Sequence, residues 1–116
     1  MGFKQNFSFH QRKEEADRVI QKYPDRIPII CERSSSASRD CPQIDKIKYL
    51  VPIDLTMGQF LFVIRKRMRL PAEKAIFIFV NNTIAPSSAY INDIYMYNKS
   101  ADNFLYLTYS LENVFG

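Results

Sequence analysis

Lys48-Tyr49-Leu50-Val51-Pro52-Ile53-Asp54-Leu55-Thr56-Met57-Gly58-Gln59-Phe60-Leu61-Phe62-Val63-Ile64 runs from a short strand into a helix. Lys48 to Val51 is rich in β-formers and is stopped by Pro52, which has no N–H to give to a ladder. Thr56-Met57-Gly58-Gln59 has the form of a capping box, with Thr at the N-cap and Gln three residues on. Behind it Phe60, Val63, Ile64 and Met68 recur at helical spacing and predict an apolar face. Arg65-Lys66-Arg67 and Arg69 fall mostly on the wet side, and Pro71 is expected to end the helix.

Upstream, Ile27 to Glu32 predicts a strand, and a hairpin with Lys48–Val51 is natural. Pro28 inside it points to an edge position or a strand start. Ser34 to Pro42 reads as a polar loop. Ser8-Phe9-His10-Gln11 is another capping box. The helix it opens should reach about Lys22, with Ala16, Val19, Ile20 and Tyr23 on its apolar side and Tyr23-Pro24 at its end. Phe3 and Phe7 suggest a short extra turn ahead of it.

Downstream, Ala75 to Val80 is a continuous apolar run and predicts a central strand. Asn81-Asn82 reads as a turn, Ser87 or Ser88 as the cap of a short helix to about Tyr95, and Leu105 to Tyr109 as the last strand. Ser110 to Gly116 is left as a tail. After the first helix the order is β-β-α-β-(short α)-β. That predicts an α+β fold of the ubiquitin-like β-grasp type: a four-stranded mixed sheet with a central helix, preceded by one or two N-terminal helices. The expected organisation is a single domain over 1–116, with a helical extension at 1–24, a core at 25–110 and a tail at 111–116.

Composition narrows the functions. A chain of 116 residues is long enough for one core without staples. No apolar run approaches the roughly 18 residues of a membrane span, and no signal-peptide apolar region is visible. Met1-Gly2 is followed by Asn6 where a myristoylation motif wants Ser or Thr, so that anchor is not expected. Cys31 follows the apolar run Ile27-Pro28-Ile29-Ile30 and is expected in a buried strand, while Cys41 lies in the polar loop. Two cysteines without a signal peptide suggest reduced thiols of the cytosol. A single histidine, His10, assembles neither a metal set nor a nucleophile–base pair, so no metal and no enzymatic activity are expected. The only glycines, Gly2, Gly58 and Gly116, make no phosphate loop. At Gly58 close packing suffices as a reason.

The net charge of +4 is uneven. Through Arg69 there are fourteen Lys and Arg against eight Asp and Glu; beyond it, two face four. A basic half suits acidic partners, a lipid surface or tubulin-like tails. The pI near 9.1 hints at nucleic acid, but no binding motif appears and the aromatics sit at core periodicity, so nucleic acid is not an expected partner.

Four segments in order carry a resemblance: Lys22-Tyr23-Pro24-Asp25-Arg26-Ile27-Pro28, Asp45-Lys46-Ile47-Lys48-Tyr49-Leu50-Val51-Pro52, Asp54-Leu55-Thr56-Met57-Gly58-Gln59-Phe60 on to Ile64-Arg65-Lys66-Arg67, and Ala75-Ile76-Phe77-Ile78-Phe79-Val80-Asn81-Asn82. Phe104-Leu105-Tyr106 and Val114-Phe115-Gly116 extend it to the end. The chain resembles the GABARAP-like autophagy-related ubiquitin-like modifier family over nearly its whole length. The resemblance implies two activities. The first is conjugation of Gly116 to phosphatidylethanolamine by activating and conjugating enzymes, with Phe115 a tail recognition residue and a cysteine protease to remove the lipid. No cofactor beyond that covalent lipid is implied. The second is binding of aromatic-x-x-aliphatic motifs on cargo receptors and autophagy proteins, by strand addition beside the second strand.

By the same resemblance the aromatic pocket is Glu15, Val19, Pro28, Ile30, Lys48, Leu50 and Phe104. The aliphatic pocket is Tyr49, Val51, Pro52, Leu55, Phe60, Val63 and Ile64, and the electrostatic rim is Lys46, Lys48 and Arg67. Phe60 and Ile64 sit at helix periodicity that equally predicts burial. The expected localisation is cytoplasm, and autophagosome and vesicle membranes when lipidated. The alternative is an unconjugated trafficking or microtubule-associated protein using the basic N-terminal half. The chain departs from the family pattern in a Ser34–Cys41 connection about two residues longer. Val19 and Val63 are also smaller than the residues usual there, which implies slightly wider pockets.

Overall fold

The computed structural model describes residues 2–112. Two helices come first, the single-turn α1 (Phe3–Asn6) and the longer α2 (Phe9–Lys22). They are followed by β1 (Arg26–Arg33), β2 (Lys48–Pro52), α3 (Met57–Met68), β3 (Phe77–Val80), β4 (Thr83–Ile84), α4 (Ile91–Asn98) and β5 (Leu105–Ser110). The strands form one mixed sheet in the order β2-β1-β5-β3-β4. β1 pairs antiparallel with β2 and parallel with β5, and β3 pairs antiparallel with β5 and β4. This is the ubiquitin-like arrangement with five strands rather than the four expected.

The fifth strand follows from two asparagines. Asn81 and Asn82 both take positive φ, 50° and 63°, as a tight hairpin whose twist matches its strands requires. Thr83 and Ile84 then fold back on Val80 and Phe79.

Both predicted capping boxes form. Ser8 Oγ accepts the Gln11 N–H while Gln11 Oε1 accepts that of Ser8, and Thr56 and Gln59 do the same at α3. α3 ends on Arg69 in the left-handed region, two residues before Pro71. The first N–H of α4 is bonded to the Leu55 carbonyl at 2.8 Å, so this helix starts at Ile91, later than a Ser87 or Ser88 cap would place it. Pro28 sits in an internal strand, not an edge. Its missing N–H costs nothing, because pairing with β5 begins only at Ile29.

Alternation along the strands builds two cores. Ile27, Ile29 and Cys31 of β1, Tyr49 and Val51 of β2 and Leu105, Leu107 and Tyr109 of β5 pack against Met57, Phe60 and Ile64 of α3. On the other face Ile30 and Phe104 meet Phe3 of α1 and Ala16 of α2. Cys41, expected in a polar loop, is buried in the larger core. The Tyr109 hydroxyl donates to the Pro42 carbonyl at 2.7 Å and Arg33 to the Cys41 carbonyl at 2.8 Å, which fold the loop inward.

Candidate functional site

β2 is an edge strand, and its backbone alternates as its side chains do. Just beyond the ladder's two ends, Ile53 N–H bonds to the Asp25 carbonyl and Cys31 N–H to the Ile47 carbonyl. Antiparallel pairs alternate, so Tyr49 and Val51 turn their N–H and C=O groups to β1. Those of Lys48 and Leu50 point away from the sheet. The Arg26 Nη1 lies 3.5 Å from the Leu50 carbonyl oxygen. A row of backbone groups of this kind is a template for another strand.

On the side of the N-terminal helices the edge opens into a cavity of about 170 Å³. Its walls are Glu15 and Val19 from α2, Pro28 from β1, Lys48, Tyr49 and Leu50 from β2, and Phe104 at the foot of β5, with Lys46 beside them. Six of the seven residues expected for the aromatic pocket line it. The seventh, Ile30, has no exposure and belongs to the small core with Phe3 and Phe104.

The aliphatic set lies on the opposite side, toward α3. Tyr49, Val51, Phe60 and Ile64 are buried members of the main core, the Tyr49 and Phe60 rings meeting edge-on at 5.4 Å. Leu55 is half-buried against them, and Pro52 and Val63 are exposed. Val63 is thus off the buried stripe that periodicity gave it. A neighbouring open depression is lined by Phe62, Val63, Lys66 and Arg67. Phe62 is 59% exposed, and sequence reasoning passed over it. The signal was present: a phenylalanine out of step with Phe60 and Ile64.

The rim cations are each lightly held. Lys48 Nζ is 2.7 Å from Glu15 Oε2 and Arg67 Nε is 3.0 Å from Asp45 Oδ1. Lys46 Nζ is 5.2 Å from the Tyr49 ring centre, and the Tyr49 hydroxyl donates to the Lys46 carbonyl at 2.7 Å. Burial pushes the Tyr49 phenol pKa up. Exposed pairs of this kind are worth only about 0–1 kcal/mol, so a carboxylate on a guest can displace Glu15 or Asp45 at small cost.

Phe115 and Gly116 lie outside the described residues. Among the described residues no group of three His, Cys, Asp or Glu could hold a metal ion, and no helix is long and apolar enough to cross a membrane. His10 is exposed on α2 beside Glu14, at 3.3 Å.

A sequence model of the family described as "Autophagy protein Atg8 ubiquitin like" matches residues 11–116. This chain belongs to the Atg8 family. It is 58% identical over 114 residues to Autophagy-related protein 8 of Kluyveromyces marxianus, covering 98% of this chain and 90% of that protein. It is 56% identical to that of Schizosaccharomyces pombe, covering 98% and 93%. The crystal structure of Trypanosoma brucei ATG8 superposes with a TM-score of 0.89 at 45% identity, over 95% of this chain and 93% of that one. Atg8 proteins are a family of ubiquitin-like modifiers.

Proposed function

We propose that this chain is a modifier joined through Gly116 to phosphatidylethanolamine on autophagosomal membranes, where it recruits cargo receptors and autophagy factors by adding their aromatic-x-x-aliphatic segments to the β2 edge. Membership of the Atg8 family supports the autophagy role. One observation carries the binding role: an open edge strand has an apolar cavity on one face and a largely buried apolar shelf on the other. In an extended peptide, residues three apart point to opposite faces. An aromatic side chain entering the Val19–Leu50–Phe104 cavity therefore sends the aliphatic one toward Leu55 and Val63. Meanwhile the peptide backbone pairs with Lys48 and Leu50.

In the conjugation the chain is substrate and not catalyst. An activating enzyme adenylates the Gly116 carboxylate and takes it as a thioester, and a conjugating enzyme accepts it in turn. The lipid amine then displaces the thiolate and leaves an amide. A cysteine protease hydrolyses that amide. Glycine at this position leaves the carbonyl uncrowded at each transfer. The unmodified pool is cytoplasmic.

Two measurements test the proposal. Protein recovered from native membranes should carry the mass of phosphatidylethanolamine, and deletion of Gly116 should abolish the adduct. A membrane-bound protein of unmodified mass supports the unconjugated trafficking reading instead. In calorimetry, Leu50→Ala should weaken an aromatic-x-x-aliphatic peptide by about thirtyfold, the loss of one anchor contact. Unchanged affinity in the folded variant contradicts strand addition at this edge.

A further inference from the structure

The cavity has two walls from opposite ends of the chain. Glu15 and Val19 belong to α2, and Phe104 stands at the foot of β5. Between them lies Asp102, whose side chain has no exposure. Its Oδ1 accepts the Phe104 N–H at 3.0 Å, and its Oδ2 accepts the Tyr106 hydroxyl. Arg12, its side chain 11% exposed, reaches across from α2 and places Nη1 3.4 Å from the same Oδ2. The next residue, Asn103, takes a φ of 71° and donates from Nδ2 to Asp17 on α2 at 2.7 Å. Its carbonyl accepts the Tyr95 hydroxyl at 2.7 Å. These bonds tie the turn that delivers Phe104 to itself and to β5, to α2 through Arg12 and Asp17, and to α4 through Tyr95. Arg12, Glu15, Ala16 and Val19 follow one helix face, so the residue that grips Asp102 is in line with the two that form the wall.

A fully buried carboxylate needs pairing and complete hydrogen bonding merely to break even, and apolar residues of similar volume commonly hold a fold as well. What a charged clamp adds is position. We propose that Arg12 and Asp102 are positioning residues for the aromatic pocket, fixing the α2 wall against Phe104 so that the cavity keeps a width suited to a flat ring. The inference rests on the peptide-binding reading above. With the clamp neutralised α2 and the Phe104 turn would still pack through Ala16, Ile30 and Phe3, but with less definite spacing. The aliphatic shelf, built on α3, would be untouched.

The test compares wild type with the doubly neutral, near-isosteric Arg12→Met/Asp102→Asn protein, and with Arg18→Met as a control in an exposed pair with Glu14. Each is titrated by NMR with three peptides: the parent aromatic-x-x-aliphatic sequence, its aromatic→Ala form and its aliphatic→Ala form. The double variant should bind the parent and the aliphatic→Ala peptides about tenfold more weakly, part of the value of a full anchor. It should bind the aromatic→Ala peptide as wild type does, and Arg18→Met should change nothing. An equal loss across all three peptides, or no loss in a folded variant, overturns the positioning role. If the double variant does not fold, Asp102→Asn alone keeps an acceptor for the Phe104 N–H and takes the same comparison. Wild-type protein that does not distinguish the parent from the aromatic→Ala peptide instead overturns the pocket reading itself.

Discussion

Gly58 occupies the first turn of α3, where its N–H donates to the Ser87 carbonyl at 2.9 Å. A Cβ there would meet that oxygen at 3.2 Å. Helix propensity favours alanine by about 1 kcal/mol, but Ser87 has little freedom to retreat. Its neighbour Ala89 is held by the Met57 N–H at 2.8 Å, and Ile91 by the Leu55 carbonyl. Gly58→Ala should therefore lower stability by about 1 kcal/mol, read as a fall of a few degrees in Tm; a rise in Tm would show that the strap yields. Tyrosines give a second residue-scale result. Burial raises the pKa of Tyr49, Tyr95 and Tyr106, and pushes that of Tyr109 up to about 12. In the unfolded chain a phenol ionises near pH 10. The stability these groups contribute is complete below that and lost as pH rises through the folded values. Tm should be flat with respect to these groups up to about pH 10 and fall steeply toward 12, with tyrosinate absorbance rising at the unfolding transition. Tyrosinate absorbance from all seven tyrosines in still-folded protein would contradict the buried placement.

At the scale of elements, β2 couples an open backbone edge to lightly paired cations. Peptides with acidic flanks should be steered by Lys46, Lys48 and Arg67, and Lys46→Gln should lower the association rate more than it raises dissociation. The difference should fade as the Debye length falls from about 10 Å at 0.1 M salt to about 3 Å at 1 M; a salt-independent difference would point to a packing role for Lys46. The elements most legible in the sequence were those written locally. α2 and α3 announce themselves through Ser8/Gln11 and Thr56/Gln59, side chains that bond to backbone three residues away. β4 was invisible because two residues carry no periodicity and exist as a strand only through pairing with β3. α4 began later than expected because its first N–H is satisfied by Leu55, distant in sequence. The same limit applies to the candidate site. Lys48, Leu50, Val19 and Phe104 were reached through resemblance, whereas the Arg12–Asp102 clamp, joining residues at the two ends of the chain, has no sequence signature.

At the scale of the whole molecule, one sheet edge has two differently built sides. The α3 side is the ubiquitin-type core, already closed by Phe60 and Ile64 and offering only a shelf. The other side owes its cavity to the added N-terminal helices, which bring Glu15 and Val19 over Leu50 and Phe104. Tyr49 shows why the two sides must be probed separately: it is buried in the main core, so Tyr49→Ala costs stability as well as contact, whereas Leu50 faces the cavity. This geometry makes a parity claim. A peptide added to β2 can reach both sides only if its two anchors are an odd number of residues apart. The direct measurement is calorimetric titration of one peptide series with the aromatic and aliphatic anchors two, three and four residues apart, flanks held constant. The three-residue spacing should bind at least tenfold more tightly than either even spacing, each of which can place only one anchor. Equal affinity across the series would contradict a two-faced edge as the recognition site.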